Sequence, residues 1–156
     1  MAVKPVTTHD VKDLIREEIA RCAVDPIHFI RSWVWIQHPT KPRMLFDLFP
    51  YQEDAINEIL DHKNTIVLKA RQLGFSTAVA ALALWLTMFH RDKTILVVAT
   101  KQETAKNLVS KVRFAYDLLP RWLRVPTGTN NKLSITFTNG SQVKAVTSST
   151  DAARSE

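Results

Sequence analysis

Apolar residues recur at helical spacing over residues 8–22, where Val11, Leu14, Ile15 and Ile19 form one stripe behind a possible N-cap at Thr8 or Asp10. Asp25-Pro26 predicts a second helix, with proline at its first position and Ile27, Phe29, Ile30, Trp33 and Val34 following. The rigid turn His38-Pro39-Thr40-Lys41-Pro42 ends it. Residues 46–51 form an aromatic loop leading into a helix over 52–62. Residues 66–69 have the length and apolarity of a short strand. The stretch 76–90 is apolar almost throughout, the pattern of a helix buried on most faces. Residues 94–99 read as a continuous apolar strand of the kind found in parallel sheets. A helix over 102–119 follows, with Thr100 as its cap and Glu103 in its first turn. Residues 133–137 and 142–145 alternate on either side of Asn139-Gly140, a hairpin signal.

Strand, helix, strand, helix in this order implies right-handed βαβ crossovers, a parallel sheet and an α/β fold. Ligands of such sheets bind beyond the carboxyl ends of the strands. Lys69 and Thr100 both fall at such ends, and the loop Lys101-Gln102-Glu103 faces the same crevice.

The junction between the strand at 66–69 and the apolar helix carries the chemistry. Ile66-Val67-Leu68-Lys69-Ala70-Arg71-Gln72-Leu73-Gly74-Phe75-Ser76-Thr77 has the layout of a phosphate-binding loop, in which backbone N–H groups at a helix N-terminus hold an anion. Against the pattern G-x-x-x-x-G-K-[ST], Gly74 and Ser76 are in register. Lys69 stands at the first glycine position and Phe75 at the usual lysine position. The cation therefore comes from the other end of the loop. A lysine serves phosphate as a flexible point charge, so Lys69 can reach across the mouth while Arg71 adds a bidentate fork. Ser76 is the candidate Mg²⁺ ligand, and Phe75 packs beneath the loop. The plainer alternative is a strand and helix joined by a turn with stray basic residues. Upstream, Gln52 offers an amide able to read adenine, and Phe49 and Tyr51 offer rings able to stack on it. The alternative there is an exposed glutamine opening an amphipathic helix whose aromatic neighbours are core.

Composition narrows the classes. The 156 residues suffice for one domain with a real core. A formal net charge of +6 suits a polyanionic partner, with Arg113, Arg121, Arg124 and Lys132 as candidate contacts, or simply a solvated basic face. The single cysteine, Cys22, excludes an internal disulfide framework and a zinc site built on cysteines. His9, His28, His38, His62 and His90 are scattered, as surface or packing residues are. The polar N-terminus is unlike a signal peptide. The longest apolar run, about 12 residues, is too short to span a bilayer.

Several segments together resemble the N-terminal ATPase region of the large terminase subunits, the DNA-packaging motors of tailed bacteriophages. They are Cys22-Ala23-Val24-Asp25-Pro26-Ile27-His28-Phe29-Ile30, Ile36-Gln37-His38-Pro39 and Phe46-Asp47-Leu48-Phe49-Pro50-Tyr51-Gln52, followed by the loop from Lys69 to Thr77. Asp117-Leu118-Leu119-Pro120, Asn139-Gly140-Ser141 and Ser148-Ser149-Thr150-Asp151-Ala152-Ala153-Arg154 complete the series in the family's order. The resemblance implies a RecA-like P-loop ATPase fold, with a helical lead-in over 1–45 and the beginning of the ATPase domain over 46–156. It implies a deviant Walker A motif from Lys69 through Ala70, Arg71, Gln72, Leu73, Gly74, Phe75 and Ser76, extended by Thr77. ATP and Mg²⁺ are then the cofactors, Gln52 the adenine reader and Arg154 the arginine that completes hydrolysis. In the family a strand ending in Asp-Glu follows, and then a nuclease domain. The sequence reaches Glu156 before either. The expectation is nucleotide binding without hydrolysis by this chain alone, and a sheet edge in need of a complementing chain. Implied partners are double-stranded DNA, portal protein, small terminase subunit and other motor subunits, in the host cytoplasm and away from membranes. A non-catalytic nucleic-acid-binding module and a helicase-like translocase are the competing readings.

Overall fold

The computed structural model describes residues 8–147 apart from 38, 39 and 41. Helix α1 (Thr8–Val24) leads into α2 (Pro26–Trp33), and the Asp25 carboxylate caps α2 by accepting from His28 N at 2.8 Å. Two-residue strands β1 (Trp35–Ile36) and β2 (Met44–Leu45) pair antiparallel. Pieces this short carry no periodicity, so the sequence gives no sign of them. Helix α3 spans Pro50–Asp61, two residues earlier than expected because Pro50 opens the first turn. Helix α4 (Phe75–Phe89) is buried on nearly every face, as its composition predicts, and is the centre of the core. Strand β3 (Thr94–Ala99) and helix α5 (Gln102–Leu118) follow, then β4 (Thr127–Asn130), β5 (Ser134–Phe137) and β6 (Gln142–Thr147).

The four-stranded sheet has the order β3-β6-β5-β4. The expected parallel sheet is therefore mixed: β3 and β6 run parallel, while β6, β5 and β4 run antiparallel. The hairpin turns at Gly140, with φ +85°. Ile95, Val97, Val143, Ala145, Ile135 and Phe137 lie on the covered side of the sheet, against α5. Leu96 and Val98 point the other way and are about half exposed.

Residues 66–69 do not form the expected strand. They carry no regular structure and belong to no sheet, and Ile66 and Leu68 are almost wholly exposed. The apolarity that predicted a strand is real, but among the described residues no strand pairs with it. Two smaller expectations also fail. The N-cap of α5 is Lys101, not Thr100, and it makes no side-chain capping bond. In α1, Val11 and Leu14 are exposed, so only Ile19 of the predicted stripe packs on the core.

Long-range polar ties fix the C-terminal part of α4. Trp85 Nε1 donates to Cys22 O at 2.7 Å, locking α4 to α1. At its C-terminus, Asn139 Nδ2 donates to Thr87 O and His90 O, and Ser141 Oγ donates to His90 O. The Asn139-Gly140-Ser141 turn thus satisfies carbonyls that the end of a helix leaves without partners. No helix of the described residues is long and apolar enough to cross a membrane.

Candidate functional site

Between α3 and α4 the chain has no regular structure until it turns at Arg71 and Gln72 and enters α4 at Phe75. Two positions make the turn: Gln72 with φ +64° and Gly74 with φ +67°. The left-handed region is open to glycine but costs another residue about 1–2 kcal/mol, and such strain gathers at ligand sites. Gly74 O accepts from Thr77 N and Ala78 N, so α4 starts at once. The amides of Phe75 and Ser76 precede any intrahelical acceptor, leaving the positive end of the helix dipole facing the loop.

The loop is held from behind by α3. Tyr51 Oη and Gln52 Nε2 both donate to Leu73 O at 2.9 Å. Gln52 Oε1 accepts from Phe49 N at 3.0 Å, and the side chain is 1% exposed. Gln52 is thus neither exposed nor free. Its amide is a strut between the start of α3 and the loop, with one donor hydrogen and one lone pair remaining. The rings of Phe49 and Tyr51 stack on each other at 5.6 Å and 7°. Both rings line a cavity of about 770 Å³, together with Gln52, Gln72, Gly74 and Thr77.

Lys69, Ala70, Arg71 and Leu73 are exposed. Lys69 Nζ donates only to Ala70 O, at 3.3 Å, and neither Lys69 nor Arg71 makes an ion pair among the described residues. Phe75 is half-buried, as a packing role requires, and Ser76 is exposed with its hydroxyl unengaged. Thr77 Oγ1 accepts from Lys111 Nζ of α5 at 2.9 Å. Lys111 lies 34 residues away in sequence, and no motif spacing points to it. Arg154 lies outside the described residues, as do His38, Pro39 and the segment 148–153.

The basic residues singled out in sequence separate into two groups. Arg113 donates to Asn130 Oδ1 and Asn131 O. Arg124 donates to Leu119 O and Asp117 O and sits over the Tyr116 ring. Both are engaged in tying α5 to the chain that follows it. Arg121 and Lys132 are exposed.

Among the described residues, Glu18, Cys22 and His28 form the one cluster with metal-ligand chemistry. Glu18 Oε1 accepts from Trp33 Nε1 at 2.7 Å and from the Cys22 thiol at 3.5 Å, and it pairs with His28 Nε2 at 2.7 Å. Burial works to raise the Glu18 pKa, but the bonds from Trp33, His28 and Cys22 together outweigh it and hold the carboxyl below its usual value. Burial first, then the hydrogen bond and charge of Glu18, push the Cys22 thiol up to about 12. The cluster acts as a knot between α1 and α2.

No protein-family model matches this sequence. Among solved structures, the fold is similar to that of the HK97 bacteriophage large terminase, with a TM-score of 0.62 at 19% sequence identity. The match covers 80% of this chain and 27% of that one. The chain thus has a terminase-like α/β fold and spans about a quarter of the length of the terminase it matches.

Proposed function

We propose that this chain is the nucleotide-binding part of a terminase-type DNA-packaging ATPase. One observation carries the reading: the helix α4 N-terminus, with its αL turn at Gly74, opens on a loop whose cations Lys69 and Arg71 have no anionic partner among the described residues. Two like charges beside the positive pole of a helix favour a bound polyanion. The likeness of the fold to a large terminase supports choosing ATP as that polyanion. In this reading Lys69 and Arg71 hold the phosphates, and the amides from Leu73 to Thr77 cradle them. The cavity flanked by Phe49 and Tyr51 receives the base, with Gln52 holding the loop and presenting its remaining polar atoms.

Ser76 fits a Mg²⁺ accompanying the nucleotide, since its hydroxyl is exposed and unengaged in the first turn of α4. When bound, that ion would neutralise phosphate charge. Asp47 is the one carboxylate among the described residues lining the cavity, and it faces Arg31 at 3.8 Å. The described residues therefore supply binding and charge compensation, and hydrolysis calls for carboxylates from elsewhere. Arg154 is the proposed arginine for that step. Double-stranded DNA, portal protein, small terminase subunit and further motor subunits are the partners of such a machine. The unpaired segment 66–69 suits completion of the sheet by further polypeptide.

The test is binding of a fluorescent ATP analogue with Mg²⁺, beside Lys69→Ala. Saturable binding that the substitution removes is the expected result. A folded chain that binds no nucleotide, or a Lys69→Ala variant that binds normally, would refute the assignment.

A further inference from the structure

The first turn of α4 contains no acidic residue, although carboxylates are favoured at that end of a helix. Instead an ammonium group reaches it. Lys111, midway along α5, places Nζ 2.9 Å from Thr77 Oγ1, in the third residue of α4. A cation at the positive pole of a helix is electrostatically unfavourable on its own. The arrangement is not relieved internally, because Lys111 forms no ion pair among the described residues. A lysine has three donor hydrogens, and the bond to Thr77 uses one. The side chain is exposed, and Lys111 and Thr77 line the same cavity as Gln72 and Gly74. The positive charge thus comes from two directions: from Lys69 and Arg71 in the loop, and from Lys111 on a helix that packs beside α4.

We infer that Lys111 is a phosphate-binding residue of the nucleotide site, its ammonium steered by Thr77 Oγ1 toward the phosphate chain held at the α4 N-terminus. This rests on the nucleotide-binding reading and adds to it a residue outside the loop motif. A phosphate oxygen is a stronger partner for an ammonium than a neutral hydroxyl, so it would take up the donors that Thr77 leaves unused. Because Lys111 belongs to α5, the contact also ties the packing of α5 on α4 to occupancy of the loop.

The experiment is competition of ATP and of adenosine against a fluorescent nucleotide on the full chain, comparing wild type, Lys111→Met, Lys111→Arg and Lys69→Ala, with thermal unfolding as a check on folding. The expected result is that Lys111→Met weakens ATP about tenfold, a size ordinary for one charge-assisted bond, and leaves adenosine and the unfolding midpoint unchanged. Lys111→Arg should retain most of the ATP affinity. Loss of ATP and adenosine affinity alike, or a lowered midpoint, would make Lys111 a structural tie and overturn the proposal. Unchanged ATP affinity in Lys111→Met while Lys69→Ala loses it would overturn the proposal and leave the nucleotide site standing. Absence of ATP binding by the wild type would remove both.

Discussion

Gln52 Nε2 donates to Leu73 O at 2.9 Å, so a buried amide in the first turn of α3 sets the position of a loop 21 residues further on. Replacing Gln52 by Leu would leave Leu73 O with Tyr51 alone and strip Phe49 N of its acceptor. The expected cost is about 1–3 kcal/mol, the range for breaking a buried hydrogen-bonded pair. Chemical denaturation measures it. Binding of phosphate-bearing ligands should weaken beyond what the loss of stability explains, since the loop loses its strut. An unchanged denaturation midpoint would show that the bonds to Leu73 contribute nothing.

Gly74 should not tolerate a side chain. Its φ of +67° disfavours one, and an added Cβ would stand 2.9 Å from Gln52 Nε2. Gly74→Ala is expected to destabilise by about 1–2 kcal/mol from the backbone conformation alone, with displacement of the Gln52 amide in addition. Combined with Gln52→Ala the steric part should shrink, giving a double-mutant cycle with measurable coupling. Strict additivity would mean that the two residues do not meet.

Acid should loosen the knot between α1 and α2. The folded Glu18 carboxyl titrates below its ordinary value of 4.5, so its contribution is fully present above that pH and is lost as pH falls through the lowered folded value. The Cys22 thiol acts at the other end. Unfolded it ionises near 9.0, whereas folded it keeps its proton to about 12, so stability falls as pH rises between those values. Urea midpoints against pH should show a shallower acid limb in Glu18→Gln and a shallower alkaline limb in Cys22→Ala. Profiles parallel to wild type would contradict both assignments.

The uncovered apolar surface should make the 156-residue chain self-associate. Leu96 and Val98 project on the side away from α5 from β3, the edge of the sheet among the described residues, and Ile66 and Leu68 stand exposed in a segment that pairs with no described strand. Such edges and patches template association. Sedimentation over a concentration series should show growth of oligomers, reduced by Leu96→Lys with Val98→Lys. A monodisperse wild-type monomer at every concentration would refute this.

Local pattern was enough for the helices and for the turn that opens α4. The Asp25-Pro26 cap, the uniformly apolar α4, the continuous strand β3 and the Asn139-Gly140 hairpin are each written in a few adjacent residues. The turn at Gly74 and the start of a helix beside Ser76 follow from the loop spacing. Propensity and period are properties of neighbours along the chain, so the sequence determined these. Only tertiary structure decided the rest. Whether residues 66–69 become a strand depends on a pairing partner, and their apolarity says nothing about one. The mixed sheet arises because β6 lies beside β3, a choice made across the long chain between Ala99 and Gln142 by the turn that Asn139 and Ser141 fasten to the end of α4. That Gln52 is buried, with its amide bonded to both Phe49 N and Leu73 O, is visible only once α3 and the loop are brought together. Lys111 stands beside Thr77 because α5 packs on α4, a contact set by apolar faces and not by any motif.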